Sequence, residues 1–309
     1  MKEKNTEKMI NKIKNIKKSQ NAVILAHNYQ IPEIQDAADF VGDSFALAIQ
    51  ASKTDADVII FCGVDFMAET AKILNPEKIV VHPDRDAKCP MAGMVDAESL
   101  KVLKNNHPDA AVVSYVNTTA ETKALSDICC TSSNAVKVVK SLEAKEIIFL
   151  PDKHLADWVS RQVPEKKIIK WEGYCWVHQD LIEKPIIEMM KKEHPDAEVL
   201  VHPECVAEVR GIADFVLSTE GMVTHAAKSE KKEFIIGTEK ELCYRLKKEN
   251  PDKKFYPIPN AICRAMKKIT LEKVLRSLES LEPRIELAKE IIEKAKIPLE
   301  RMMSIGRGD

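Results

Sequence analysis

The sequence predicts an α/β fold: three related three-layer αβα units with parallel sheets, set with pseudo-threefold symmetry around one central site. Three observations predict it. The tetrapeptide His-Pro-Asp-Ala occurs at 107–110 and again at 194–197, each time leading into a β-branched run. Apolar runs, acids and hydroxyl residues then recur in one fixed order, copy after copy. Three cysteines, Cys89, Cys175 and Cys263, keep the same interval, 86 and 88 residues apart.

Each unit opens on a β-branched run, at 23–25, 111–113 and 199–201. An Asp, a short apolar patch and a hydroxyl residue follow: Asp39 to Ser44, Asp127 to Ser132, and Asp214 to Ser218 and Thr219. A helical pattern starts at each hydroxyl. It leads to a second apolar run (58–61, 147–150, 234–236), another amphipathic helix and a third run (79–81, 168–169, 255–256). The order β-α-β-α-β favours parallel strands with helices on both faces. Right-handed crossovers then put all strand C-terminal ends on one rim. The units span 1–106, 107–193 and 194–270. Residues 271–309 read as helical, interrupted by Pro283, with Leu287, Ile291, Ile292 and Ala295 forming one apolar stripe expected to pack back on the first unit.

Composition narrows the class. A chain of 309 residues with 45% hydrophobic content supports two or three small domains with real cores. The balance of 47 basic against 48 acidic residues argues against a nucleic-acid or membrane-surface binder. The basic run at 12–18 is interleaved with Ile10, Ile13 and Ile16 and reads as the solvated face of a helix. No apolar stretch approaches the ~20 residues that span a bilayer, and the charged start lacks a secretory h-region. The expectation is a cytoplasmic protein, in which eight cysteines do not pair as structural disulfides.

No cysteine belongs to a Cys-x-x-Cys pair, and Cys129 and Cys130 are adjacent. Any ligand set must therefore come from distant segments. Cys89, Cys175 and Cys263 each fall in the loop after the third run of a unit, whereas Cys62, Cys129, Cys130, Cys205 and Cys243 do not recur in this way. A single buried cysteine is ordinarily a small hydrophobe. Three in equivalent loops of three related units converge on an axis instead. Three thiolates suit an iron–sulfur cluster, which leaves one iron open as a Lewis acid. Zinc is the competing reading, although structural zinc usually draws paired ligands from close spacings.

The ends of the first strands carry the second signal. His27 and Tyr29, Tyr115 and Asn117, and His202 and Glu204 occupy equivalent positions, two residues apart, where side chains share a face. Strand C-terminal ends are where α/β sheets bind ligands. The third signal is the hydroxyls: Ser44, Ser132 with Ser133, and Ser218 with Thr219. As ordinary helix caps they need no ligand; converging, those helix starts would receive a carboxylate or phosphate.

At these residues the chain resembles the quinolinate synthase family over essentially its full length. The resemblance is carried by Leu25-Ala26-His27-Asn28-Tyr29-Gln30, Val41-Gly42-Asp43-Ser44, Ser114-Tyr115-Val116-Asn117-Thr118, Cys130-Thr131-Ser132-Ser133-Asn134, Val201-His202-Pro203-Glu204-Cys205 and Ser218-Thr219-Glu220-Gly221-Met222. It implies three pseudo-symmetric domains around an oxygen-sensitive [4Fe-4S] cluster on Cys89, Cys175 and Cys263. It implies condensation of iminoaspartate with dihydroxyacetone phosphate to quinolinate, phosphate and water, with transient contact to L-aspartate oxidase as a partner. His27, Tyr29, His202, Glu204 and Lys228 are the implied catalytic residues. His27, Ser44, Tyr115, Asn117, Ser132, His178, His202, Glu204, Ser218 and Thr219 are the implied substrate-binding residues. Longer members end in a Cys-x-x-Cys-x-x-Cys run; here Cys263 stands alone.

Two rivals remain at this level. Other three-cysteine cluster enzymes, such as hydroxymethylbutenyl diphosphate reductase or the diphthamide-synthesis proteins, also place one cysteine per domain; the His27/Tyr29 and His202/Glu204 ends favour the synthase. A non-enzymatic iron–sulfur or oxygen sensor would need a DNA-binding element or a partner surface, and no basic helix-turn-helix pattern is evident. The ligand assignment has a direct test. Cys89→Ala, Cys175→Ala and Cys263→Ala should each abolish cluster binding in anaerobic protein, while Cys62→Ala, Cys129→Ala and Cys243→Ala keep it; iron and sulfide analysis reads the outcome.

Overall fold

The structure, a computed structural model, describes residues 2–309. It contains twelve strands. The first four are β1 (Ala22–His27), β2 (Phe40–Gly42), β3 (Val58–Cys62) and β4 (Ile79–Val81); the next are β5 (Ala111–Tyr115), β6 (Ile128–Cys130), β7 (Glu146–Leu150) and β8 (Lys167–Lys170); the last are β9 (Glu198–Val201), β10 (Phe215–Val216), β11 (Glu233–Gly237) and β12 (Lys254–Pro257). They form three four-stranded sheets in one topology, β2-β1-β3-β4, β6-β5-β7-β8 and β10-β9-β11-β12. Every pairing is parallel. With helices on the sheet faces, this is the expected set of three αβα units.

The middle strands read as continuous apolar runs because both faces are covered. In the first sheet Leu25, Ile59 and Phe61 enter one core cluster, while Ile24, Ala26, Val58, Ile60 and Cys62 enter the other. The outer strands β8 and β12 begin on exposed lysines, Lys167 and Lys254, as sheet edges tolerate.

Each sheet has one strand more than the sequence predicts. The additional strands are β2, β6 and β10, formed by the short apolar patch after the repeating Asp. Two or three residues are too few for a visible two-residue period; what makes them strands is the acid. The Asp39 amide donates to the Ile24 carbonyl at 2.9 Å, and the Asp39 carboxylate accepts from the Ile24 amide at 2.8 Å. Asp127 does the same to Val112, at 3.0 and 2.7 Å. Asp214 does so to Val199, at 3.0 and 2.8 Å. The carboxylate thus supplies a ladder acceptor where the outer strand begins.

Helix packing also differs from the sequence boundaries. The helix Ala97–Asn106, placed by sequence at the end of the first unit, buries Leu100 with Val112 and Ile148 of the second sheet. The helix Lys184–Glu193 likewise buries Ile187 and Met190 with Val199 and Ile235 of the third. A helix followed by a short turn folds back onto the sheet its next strand joins, so each unit starts one helix upstream of its first strand. Of the two last helices, Leu271–Ser280 packs with Lys2–Ser19 on the first sheet. The helix Lys289–Ile305 lies mainly against Ala120–Ala124 and β6 of the second unit. No helix of the described residues is long and apolar enough to cross a membrane.

The strand order positions the site. From β1 the chain crosses to β2 on one side and then to β3 on the other, which opens a crevice at the C-terminal ends of β1 and β3. The same switch point lies between β5 and β7 and between β9 and β11. The ends of β1, β5 and β9 bring His27, Tyr29, Tyr115, Asn117, His202 and Glu204 to one cavity, and the segments after β2, β6 and β10 add Asp43, Ser44, Thr131, Ser132 and Thr219. The repeating Asp offers a stability test. Replacing Asp39, Asp127 or Asp214 by Ala strips an amide of its acceptor and should cost about 1–3 kcal/mol each, read by chemical denaturation. A cost near zero at all three would show that the outer strands do not need the acid.

Candidate active site and metal centre

The cavity at the meeting point of the three units has a volume of about 70 Å³. Cys89, Cys175 and Cys263 line it, as do His27, Tyr29, Ser44, Tyr115, Asn117, Ser132, His178, His202, Glu204 and Thr219. All three sequence-selected cysteines and all six strand-end residues are therefore together.

Each cysteine is held in the same way. The Cys89 amide donates to the Asp65 carboxylate at 3.0 Å, Cys175 to Asp152 at 3.1 Å, and Cys263 to Glu239 at 3.2 Å. Each acid follows the third strand of its unit, the other lip of the switch-point crevice. Sequence reasoning missed these three, although the signal was present: an acid precedes each cysteine by 24, 23 and 24 residues. Burial pushes the Glu239 carboxyl up, opposed by Lys267, whose Nζ lies 2.7 Å from Glu239 Oε1. The same Nζ donates to the Tyr29 carbonyl at 2.5 Å, tying the Tyr29 loop to the Cys263 loop. Burial, and after it the Glu204 charge, raises Asp152.

Burial also pushes all three thiols up. The backbone amides of Ala92, His178 and Met266, three residues beyond each cysteine, oppose it. The donor set fits a cluster: three half-buried cysteines from equivalent loops line one cavity, and nearby amides and a bound cation would both favour the thiolate form. Cys175, His178 and Glu204 additionally offer ligand atoms within 4.8 Å of one another, so part of the set also suits a single metal ion.

Glu204 is the centre of the polar side. It accepts from the Tyr115 hydroxyl at 2.5 Å, and its Oε2 lies 2.9 Å from His178 Nδ1. Burial raises Glu204, but His178, His202 and Tyr115 outweigh it and bring the carboxyl down to about 2. His202 is lowered to about 3, first by burial. His27 is also lowered to about 3, by burial and then by Lys267. Near neutral pH the cavity holds a carboxylate beside uncharged His27 and His202 imidazoles. His178 and His202 stack with centroids 4.6 Å apart. His178 Nε2 and the Tyr29 hydroxyl share Thr238 Oγ1, at 2.9 and 2.5 Å. Asn117 Oδ1 is buried without a hydrogen-bond partner among the described residues.

The hydroxyls divide. Asp43, not Ser44, caps the helix Ser44–Lys53 by accepting from the Ala46 amide at 2.8 Å, which leaves the Ser44 hydroxyl to the cavity. Ser132 precedes the helix Ala135–Ser141 and its hydroxyl lies 3.1 Å from His202 Nε2. Ser218 is an ordinary cap, accepting from the Gly221 amide at 3.1 Å, and does not line the cavity; its neighbour Thr219 does, held by Asn28 at 3.0 Å. Lys228 is corrected outright: it is exposed in the last turn of the helix Thr219–Lys228, whose first residue is the one at the cavity. A ten-residue helix spans about 15 Å, too far for the side chain to return.

The profile of the family described as "Quinolinate synthetase A protein" matches residues 11–304. The quinolinate synthase of Thermodesulfovibrio yellowstonii is 56% identical over 94% of this chain and 96% of its own length. That of Sulfurihydrogenibium sp. is 51% identical over 97% and 99%. "Quinolinate synthase 2" of Methanosarcina acetivorans is 53% identical over 95% and 94%. The chain belongs to the quinolinate synthase family. It is an enzyme of that family, and the resemblance over the full chain is borne out.

For this quinolinate synthase family member the buried histidines set a pH signature. An unfolded chain protonates His27 and His202 near 6.5, whereas the folded chain does so only near 3. Their depressed values contribute stability that is present above pH 6.5 and is lost as pH falls toward 3. Each should remove roughly 1.4 kcal/mol per pH unit below about 6. The melting temperature of cluster-free protein should therefore drop between pH 7 and pH 5, and drop less in a His27→Gln, His202→Gln double variant. An unchanged slope in that variant contradicts the assignment.

Proposed function

We propose that the enzyme condenses iminoaspartate with dihydroxyacetone phosphate to quinolinate, phosphate and water, around a [4Fe-4S] cluster held by Cys89, Cys175 and Cys263. The observation that carries this reading is the meeting of three cysteines from equivalent loops with the polar strand ends of all three units in one buried cavity. Family membership supports quinolinate as the product, and the sequence resemblance implies the two substrates. When bound, the cluster offers one iron without a cysteine ligand as a Lewis acid toward oxygen or nitrogen.

The chain's own residues divide the remaining work. Ser44, Ser132 and Thr219, one from each unit, donate hydrogen bonds to the carboxylates and phosphate of the substrates. Asn117, with its unpartnered Oδ1, accepts from a substrate N–H or O–H. Glu204, ionised and joined to Tyr115, takes a proton and returns it through the Tyr115 hydroxyl or His178. Tyr29, hydrogen-bonded to Thr238, is placed to carry a second proton. His27 and His202, uncharged, act as hydrogen-bond partners that leave the field of Glu204 intact. The apolar walls, Val64, Phe66, Met67 and Met266, limit water around reactive imines. Localisation to the cytoplasm and transient contact with L-aspartate oxidase, the source of iminoaspartate, belong to the same reading.

The test is an anaerobic assay with both substrates, following quinolinate by its near-ultraviolet absorbance. Purified protein should form quinolinate without an electron donor. Glu204→Gln and Tyr29→Phe should retain four irons and lose about 10²–10⁴-fold in turnover. Turnover near wild type in both variants would remove them from the proton path; no quinolinate from the cluster-loaded wild type would overturn the function.

A further inference from the structure

Residues 306–309 leave the helix Lys289–Ile305 and touch all three units beside the cavity. On the first unit, Arg307 grips both oxygens of Asp43, at 3.2 and 3.0 Å. On the second, the Gly308 amide donates to the Ser133 carbonyl at 2.9 Å, Asn134 Nδ2 donates to the Gly306 carbonyl at 3.1 Å, and Lys137 Nζ to the Ile305 and Arg307 carbonyls at 2.6 and 3.2 Å. On the third, Arg307 Nη2 donates to Ser218 Oγ at 3.2 Å, and the Ser218 hydroxyl donates to the Asp309 carboxylate. Asp43, Ser133 and Ser218 are the immediate neighbours of Ser44, Ser132 and Thr219, the three cavity hydroxyls.

The fit is built, not incidental. A Cβ on Gly221 would stand 2.7 Å from Asp309 Oδ2, and one on Gly308 would stand 3.0 Å from the Ser133 carbonyl oxygen. Gly308 keeps the backbone approach open, whereas a Cβ on Gly221 would displace only the end of the Asp309 side chain. Beyond the segment lies a second, outer cavity of about 500 Å³, lined by Ser132, Trp158, Pro203, Ser218, Gly308 and Asp309 among others. Ser132 belongs to both cavities. The inner cavity, about 70 Å³, is the smaller and contains the cysteines.

We propose that residues 306–309 form a latch that closes the inner cavity, with Arg307 as its positioning residue. Closed, Arg307 clamps the Asp43 end of the first unit to the Ser218 end of the third, while Gly308 docks on the second. It also pairs the Asp43 carboxylate, which lines the cavity and would otherwise repel an anion. Open, the three helix starts separate and the outer cavity joins the inner one, giving small anions a path to the cysteines. This concerns access alone and holds whatever reaction the cavity performs.

The test needs neither cluster nor substrate. Cluster-free full-length protein is labelled with a small anionic thiol reagent, and mass spectrometry follows each cysteine. Arg307→Ala and Asp309→Ala should each speed labelling of Cys89, Cys175 and Cys263 about tenfold or more, as expected when a charge-assisted contact leaves the closed state. Arg307→Lys should recover part of the protection. Cys62 and Cys129, fully buried in the sheets, should stay protected throughout. Labelling of the three cavity cysteines within twofold of wild type overturns the latch. Equal acceleration at Cys62 and Cys129 also overturns it, since the segment would then only stabilise the fold.

Discussion

The structure depends on bringing three half-buried cysteines to one cavity from loops that are distant in sequence. Each sulfur costs free energy to ionise in a dry cavity, and burial accordingly drives all three thiols up. The fold answers with one device used three times. A carboxylate at the end of a unit's third strand grips the cysteine's amide, and an amide three residues on opposes that rise. The carboxylate fixes the loop; the second amide favours thiolate. A site of this kind couples cation binding to folding, because the unfolded chain has no such arrangement.

Parallel topology is what makes the device repeatable. In every unit the switch-point crevice has two lips: one carries the cavity-lining pair, the other the acid that holds the cysteine loop. Three units joined around one cavity therefore deliver three pairs and three acids without any specialised loop. The result is not symmetric in chemistry. His27/Tyr29, Tyr115/Asn117 and His202/Glu204 are different residues at equivalent positions, and only the third places a carboxylate at the centre. Glu204 stays ionised because Tyr115 from the second unit and His178 from its own neighbourhood hydrogen-bond or pair with it. Charge within the cavity is thus set by contacts between units, which ties chemistry to their closure.

Much of this was legible in the sequence, and the parts that were not have physical reasons. The repeat, the parallel sheets, the cysteine triad and the strand-end residues follow from spacing because period and side-chain direction are rigid consequences of strands. The outer strands β2, β6 and β10 escaped notice because they owe their existence to one side-chain hydrogen bond each. Asp65, Asp152 and Glu239 escaped because an acid near a helix start has an ordinary explanation as a cap; only the coordinates show which amide it grips. Ser44 lines the cavity as the sequence suggests, whereas Ser218 and Lys228 stand outside it. The adjacent Asp43 takes the capping role and leaves the Ser44 hydroxyl to the cavity, while the ten-residue helix from Thr219 to Lys228 carries the lysine to its far end. The segment 306–309 carries no periodicity at all, so its contacts are invisible until the three units are assembled.

The central claim is that three cysteines, one per unit, hold one four-iron cluster whose fourth iron faces the substrate side chains. Mössbauer spectroscopy of anaerobic protein loaded with isotopically enriched iron, with and without quinolinate, tests it most directly. The account predicts that one iron in four changes its isomer shift and quadrupole splitting when quinolinate binds, while the other three keep theirs. A spectrum in which all four irons respond alike, or in which none responds although quinolinate is bound, would contradict it.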